Sequence, residues 1–181
     1  MLLALKQEYN DYFEVFSKGI VMGSEENIVT LGQKEIENIL PQKKPYLFVD
    51  EVLNYQKEEE YIQAVCNLKK RINFYKDFNP NKLIFPSFLV LEAMCQAVAL
   101  LWYLVRDNQG SHRILMIFKM EFFGKIEGYD PLEIRCKIKT KEPIGFGFTQ
   151  AIYKNKIAAV AVLKGVNILG ADHAFNSWYQ S

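Results

Sequence analysis

Histidine is scarce in this chain: only His112 and His173 occur among 181 residues. His112 begins a strand-like stretch after Gly110-Ser111 and His173 sits in the tail Ala-Asp-His-Ala-Phe-Asn-Ser-Trp, so both read as ordinary surface or edge residues. Cysteine is limited to Cys66, Cys95 and Cys136, far apart and each among apolar neighbours. Their odd number and the lack of Cys-x-x-Cys spacing exclude a disulfide scaffold and a zinc site, and they predict buried thiols in a reducing compartment. An excess of charge is missing too. Lys and Arg number 22 against 21 Asp and Glu, a net charge of +1, which argues against a nucleic-acid binder because phosphate backbones require concentrated positive charge. Repeats, low-complexity tracts and linkers are absent. Met1-Leu-Leu-Ala-Leu5 runs into Lys6, Glu8, Asp11 and Glu14 too soon for a secretory segment, so a cytoplasmic protein is expected.

What the chain does have is apolar and aromatic bulk, 50% apolar residues with 13 Phe, 10 Tyr and 2 Trp. At this length that predicts one compact domain able to bury a core without staples, and it excludes disorder. One run, Ser87 to Val105, is long and apolar enough to be mistaken for a membrane span. Glu92 and Gln96 near its middle are costly in hydrocarbon, and no second span accompanies it. A helix apolar on nearly every face is one that the protein itself wraps.

Periodicity orders the rest. Leu2, Leu5, Tyr9, Tyr12, Phe13 and Phe16 recur at three- and four-residue steps, a helical stripe interrupted by Gly19 and Gly23. A short helix is predicted from Lys34 to Leu40, ending before Pro41. Tyr46 to Tyr55 and Glu60 to Leu68 read as two strands, and Asn73 to Phe85 as irregular. Pro86 opens the long helix at its first turn, and Asp107, Asn108 and Gly110 stop it. Four strands follow at Ile114 to Ile126, Leu132 to Thr140, Gly145 to Tyr153 and Ile157 to Val166. In the second, Leu132, Ile134, Cys136 and Ile138 alternate with Glu133, Arg135, Lys137 and Lys139, which predicts one buried and one wet face. One long helix inserted among antiparallel strands predicts an α+β fold of the hotdog kind, a sheet wrapped around a central helix. The expected division is an N-terminal helical extension over 1–33, the hotdog domain over 34–166 and a tail over 167–181.

Two blocks carry a family resemblance. The run Ile36-Glu-Asn-Ile-Leu-Pro-Gln-Lys-Lys-Pro-Tyr-Leu-Phe-Val-Asp50 resembles the opening signature of the 3-hydroxyacyl-acyl-carrier-protein dehydratases, close to I-x-x-x-LPHRYPFLLVD. Leu40, Pro41, Pro45, Leu47, Val49 and Asp50 match it. The next block of that family, roughly F-F-x-G-H-F-P-x-x-P-x-M-P-G-V-L-x-x-E-A-x-A-Q, aligns without a gap on Phe74 to Gln96, with matches at Phe74, Pro86, Leu89, Glu92, Ala93 and Gln96. The resemblance implies the hotdog fold, an obligate dimer with sites at its interface, and a place in fatty acid or polyketide biosynthesis. It further implies acyl chains presented on the phosphopantetheine of acyl carrier protein or on CoA, with no resident cofactor and no metal.

The departures bear on chemistry. The family's catalytic histidine falls on Phe78, the glycine before it on Asp77, the glycine preceding the long helix on Ser87 and the histidine of the opening block on Gln42. Dehydrating a 3-hydroxyacyl thioester removes an α-proton and protonates a departing hydroxide, so an acid and a base must flank one carbon pair. Phenylalanine can be neither. Glu92 is the expected catalytic group, with Gln96 one turn along to hold it or a water, and Asp77 as a candidate second carboxylate; the plainer alternatives are a carboxylate held in the core and a solvated loop Asp. Phe78, Phe85, Ser87 and Phe88 are the candidate substrate-binding residues, Ser87 through a backbone N–H at the helix start, although the aromatic rings serve equally as core. Lys69, Lys70 and Arg71, with Lys43 and Lys44, would either greet an acidic carrier protein or form a solvated charge run. Three functions remain open: a divergent dehydratase-like enzyme, a hotdog thioesterase using Glu92 without histidine, or a non-catalytic acyl-binding subunit paired with a histidine-bearing homologue.

Overall fold

The fold comes from a computed structural model that describes residues 2–77, 83–106, 112–141 and 144–167. In chain order the elements are α1 (Leu2–Lys18), β1 (Val29–Leu31), α2 (Gln33–Ile39), β2 (Glu51–Gln56), β3 (Tyr61–Cys66), a 3₁₀ helix (Leu68–Phe74), β4 (Ile84–Phe85), α3 (Ser87–Val105), β5 (His112–Phe122), β6 (Ile126–Glu127), β7 (Leu132–Lys141), β8 (Ile144–Tyr153) and β9 (Lys156–Asn167). Among the described residues, seven strands form one antiparallel sheet in the order β1-β2-β3-β7-β8-β9-β5, and β4 pairs with β6 as a separate ribbon. The sheet curls around α3, which is the hotdog arrangement. Among the described residues, the one helix long and apolar enough to cross a membrane is thus the core helix, with Leu89, Val90, Ala93, Met94, Ala97, Val98, Leu100, Leu101 and Trp102 buried. Each of the larger of these side chains contributes about 1.5–3 kcal/mol on burial.

Helix and sheet meet closely at two glycines on β8. A Cβ at Gly147 would lie 2.3 Å from Val98 Cγ1, and one at Gly145 would lie 2.9 Å from the Trp102 ring. The alternation of β8 and β9 explains why both faces of these strands are covered. Gly145, Gly147, Ala159, Ala161 and Leu163 face α3, while Phe148, Val160 and Val162 face outward onto Tyr9, Phe13 and Phe16 of α1. Residues after α1 are strapped to the same outer face. Gln150 Nε2 donates to the Phe16 and Gly19 carbonyls at 2.5 and 2.6 Å, its Oε1 accepts from the Val21 N–H at 2.9 Å, and Arg135 Nη1 donates to the Val21 carbonyl at 2.8 Å.

Several local expectations differ from the structure. The strand expected from Tyr46 begins only at Glu51, because the polar groups of residues 46–48 are taken by side chains instead of a neighbouring strand. The strand expected over 114–126 splits at Phe123–Lys125 into β5 and β6. The sheet also gains β1, three residues long, from before residue 34. Arg135, expected on the wet face of β7, is 7% exposed because residues 21–22 cross over it. Pro86 is the residue just before the helix, where its carbonyl accepts from the Leu89 and Val90 N–H groups. The turn at Lys154 and Asn155 is a two-residue hairpin with φ of 51° and 61°, the positive pair that a twisted hairpin requires. The expected helix stop at 107–110, the tail and His173 lie outside the described residues.

Candidate active site on the central helix

Phe88, Glu92 and Gln96 follow one another at four-residue steps, so they form a line along one face of α3. Burial increases along that line. Phe88 is 56% exposed, Glu92 is half-buried and Gln96 is 1% exposed, so the carboxylate sits where solvent meets core.

Gln96 is fully used. Its Oε1 accepts from the Phe48 N–H at 2.7 Å, and its Nε2 donates to the Tyr46 carbonyl at 2.8 Å and to Glu92 Oε1 at 2.6 Å. A side-chain amide has one carbonyl and two N–H groups, so this set of partners admits only one orientation of the amide. Glu92 Oε2 has no hydrogen-bond or ion-pair partner among the described residues, which leaves its lone pairs for a ligand. Cys95 lies one residue before Gln96 and is partly buried. Burial first, and then the Glu92 carboxylate, push its thiol up to about 12.

The other candidates are placed as follows. Asp77 is exposed in the turn after the 3₁₀ helix, and no hydrogen bond or ion pair joins it to Glu92 among the described residues. Ser87 is the exposed first residue of α3, where a backbone N–H has no intrahelical acceptor and the helix dipole is positive. Phe85 is 2% exposed and meets the Tyr75 ring edge-on at 5.2 Å, inside the core. Phe78 lies outside the described residues. Among the described residues, no three His, Cys, Asp or Glu side chains cluster so as to hold a metal ion. An open groove of about 510 Å³, lined by residues of 24–29 and 55–59, shares no residue with this site.

The basic triplet is not one solvated run. Arg71 is 5% exposed, and its Nη2 lies 3.1 Å from Asp50 Oδ1 and donates to the Leu47 carbonyl; Lys70 Nζ reaches the same Asp50 oxygen at 3.1 Å. Asp50 Oδ2 accepts from the Asn67 N–H at 2.8 Å. The sequence offered one signal for this arrangement: Asp50 closes the opening block, and a buried carboxylate needs a cation.

The FabA-like domain matches residues 40–161, which include Glu92 and Gln96. A 3-hydroxyacyl-[acyl-carrier-protein] dehydratase FabZ from Chlamydia trachomatis is 28% identical over 140 residues, covering 75% of this chain and 92% of the relative. Among solved structures, a dehydratase heterocomplex from Xenorhabdus doucetiae aligns with TM-score 0.59 at 12% identity, over 73% of this chain and 90% of its own. A thioesterase with coenzyme A from Streptococcus pneumoniae aligns with TM-score 0.56 at 9% identity, over 75% and 96%. At these identities the solved structures speak for the fold, and the hotdog architecture is theirs as well. With two-thirds of its length matched, and the Glu92–Gln96 line inside the match, the chain belongs to the FabA-like domain family.

Proposed function

We propose that this chain is a dehydratase-like protein acting on 3-hydroxyacyl thioesters, with Glu92 as its acid–base group. The observation that carries the reading is the Glu92–Gln96 pair: a half-buried carboxylate with one oxygen held at 2.6 Å and the other open, within a stretch that the FabA-like domain matches. Glu92 takes the α-proton of the substrate. The carboxylic acid so formed returns a proton, through a water, to the departing hydroxide; the C–O electron pair leaves with oxygen, the C–H pair becomes the new double bond, and the products are the enoyl thioester and water. The thioester oxygen, which gains charge as the proton leaves, accepts from the Ser87 N–H at the positive end of α3. Phe78 replaces the histidine that shares this work in the resembled dehydratases, so the carboxylate carries both transfers.

The substrate arm is phosphopantetheine, on acyl carrier protein or on CoA; the FabZ relative acts on the acyl-carrier-protein form, and one solved neighbour holds coenzyme A. The protein works in the cytoplasm as a dimer, either with itself or with a related hotdog chain. Edge strand β5, which shows Ile117, Phe118 and Phe122 to solvent beside exposed Phe123, supports this pairing. A thioesterase reading is favoured by one observation, the Phe at position 78, because hydrolysis with a carboxylate needs no histidine.

The test is direct. Purified protein is incubated with 3-hydroxyacyl, enoyl and saturated acyl thioesters, and products are followed by mass spectrometry. Water loss or addition is the expected result. Release of free acid selects the thioesterase, and turnover only after adding a histidine-bearing homologue selects the non-catalytic subunit.

A further inference from the structure

Arg71 is a buried cation that the reaction does not use. Taking a guanidinium out of water is costly unless it is paired and fully hydrogen-bonded, yet Arg71 is 5% exposed and its Nε has no hydrogen-bond partner among the described residues. Its remaining contacts converge on one short segment. Nη2 donates to the Leu47 carbonyl, the guanidinium carbon lies 5.5 Å from the Phe48 ring centre, and Asp50 Oδ1 holds Nη2 at 3.1 Å.

That segment is irregular and buried. Leu47 is 0% and Phe48 2% exposed, and residues 47–50 precede the first strand pairing of β2. Buried backbone groups without partners are rare because each costs about 1–3 kcal/mol. Here two side chains supply the partners. Gln96 takes the Tyr46 carbonyl and the Phe48 N–H, and Arg71 takes the Leu47 carbonyl that lies between them. The orientation of the Gln96 amide follows from that backbone. Reversed, its carbonyl oxygen would face both the Tyr46 carbonyl and the Glu92 carboxylate, and its NH₂ would face the Phe48 N–H.

We propose that Arg71, anchored by Asp50, is a positioning residue for Glu92. It fixes residue 47, so residues 46 and 48 set the Gln96 amide, and that amide always offers an N–H to Glu92 Oε1 while Oε2 stays open. The inference rests on the reading of Glu92 as the reacting carboxylate, but its geometry can be tested without turnover.

The test uses the full chain with ¹⁵N-labelled glutamine, the Gln96 side-chain signals being assigned by their loss in Gln96→Met. Arg71→Lys keeps the charge and loses the planar fork. The expected result is that the two Gln96 amide protons, well separated in the parent, move together and exchange faster with solvent while the near-ultraviolet circular dichroism is unchanged. A folded Arg71→Lys with unaltered Gln96 signals overturns the proposal. Should that variant fail to fold, Asp50→Asn, which loosens Arg71 in an isosteric side chain, must produce the same change; unaltered Gln96 signals there overturn it equally. With a turned-over thioester, Arg71→Lys lowers kcat by about 10- to 100-fold with KM within about twofold, and has no further effect in a Glu92→Gln background. An equal loss in both backgrounds also overturns the proposal. If no thioester is turned over, the acid–base reading of Glu92 falls, and the Gln96 signals still decide the role of Arg71.

Discussion

Gln96 Nε2 donates to Glu92 Oε1 at 2.6 Å while Gln96 Oε1 accepts from the Phe48 N–H at 2.7 Å, so one amide joins the Glu92 carboxylate to the backbone beside it. Glu92→Gln keeps an oxygen that can accept the Gln96 N–H but cannot take up a proton. The expected outcome is a kcat at least about 100-fold lower with little change in denaturation midpoint. Steady-state kinetics and urea unfolding check both halves.

Gln96→Ala removes the partner of three groups at once. The Phe48 N–H and the Tyr46 carbonyl then lose their bond to the amide, and each such loss costs about 1–3 kcal/mol where water cannot enter. The variant is expected to unfold at clearly lower urea than Glu92→Gln, and equal midpoints would contradict the account of residues 46–48.

Gly147 packs tightly under α3, where an added Cβ would lie 2.3 Å from Val98 Cγ1. Gly147→Ala is expected to destabilise by about 1–3 kcal/mol, the usual cost of overpacking. Val98→Ala in the same chain removes the two γ-methyls nearest the new Cβ and so relieves most of the clash, and the double variant should be more stable than the sum of the two single effects predicts. A double-mutant cycle of urea midpoints measures this.

Burial pushes the Cys66 and Cys136 thiols from about 9 up to about 12, and the Tyr61 hydroxyl from about 10 up to about 12. Above about pH 9 the unfolded chain gives up protons that the folded chain keeps. Stability from these groups is therefore fully present below that pH and falls as pH rises toward about 12. Urea midpoints at about pH 8 and about pH 10.5 should show the drop, and Cys136→Ala should make it shallower.

On the outer face, Phe13 and Phe16 are 3% and 4% exposed against Phe148, Val160 and Val162. Phe13→Ala is expected to weaken the seating of α1 by about 3 kcal/mol. Limited proteolysis should then cut near residues 16–24 first, leaving the sheet intact.

The central helix was legible because nineteen apolar-rich residues follow Pro86, and β7 because its apolar residues alternate without a break. The Glu92–Gln96 pair was legible from a spacing of four on that helix. Arg71 was not, because three consecutive basic residues look alike until a 3₁₀ turn aims one of them inward at a carboxylate twenty-one positions earlier. Strand β1 escaped notice because three residues are too few to show a period. The segment 46–50 reads as a strand by composition; which groups its backbone would bond to depends on residues far along the chain.

The seat of α1 on β8 and β9 has a consequence for how the molecule is made. Gln150 lies 134 positions beyond the Phe16 carbonyl to which it donates. A ribosome therefore releases Tyr9, Phe13 and Phe16 long before the strands that cover them exist, and an isolated helix of seventeen residues is marginal in water. The nascent polypeptide carries three bare aromatic rings until β8 and β9 have been made, so α1 emerges well before the strands on which it docks.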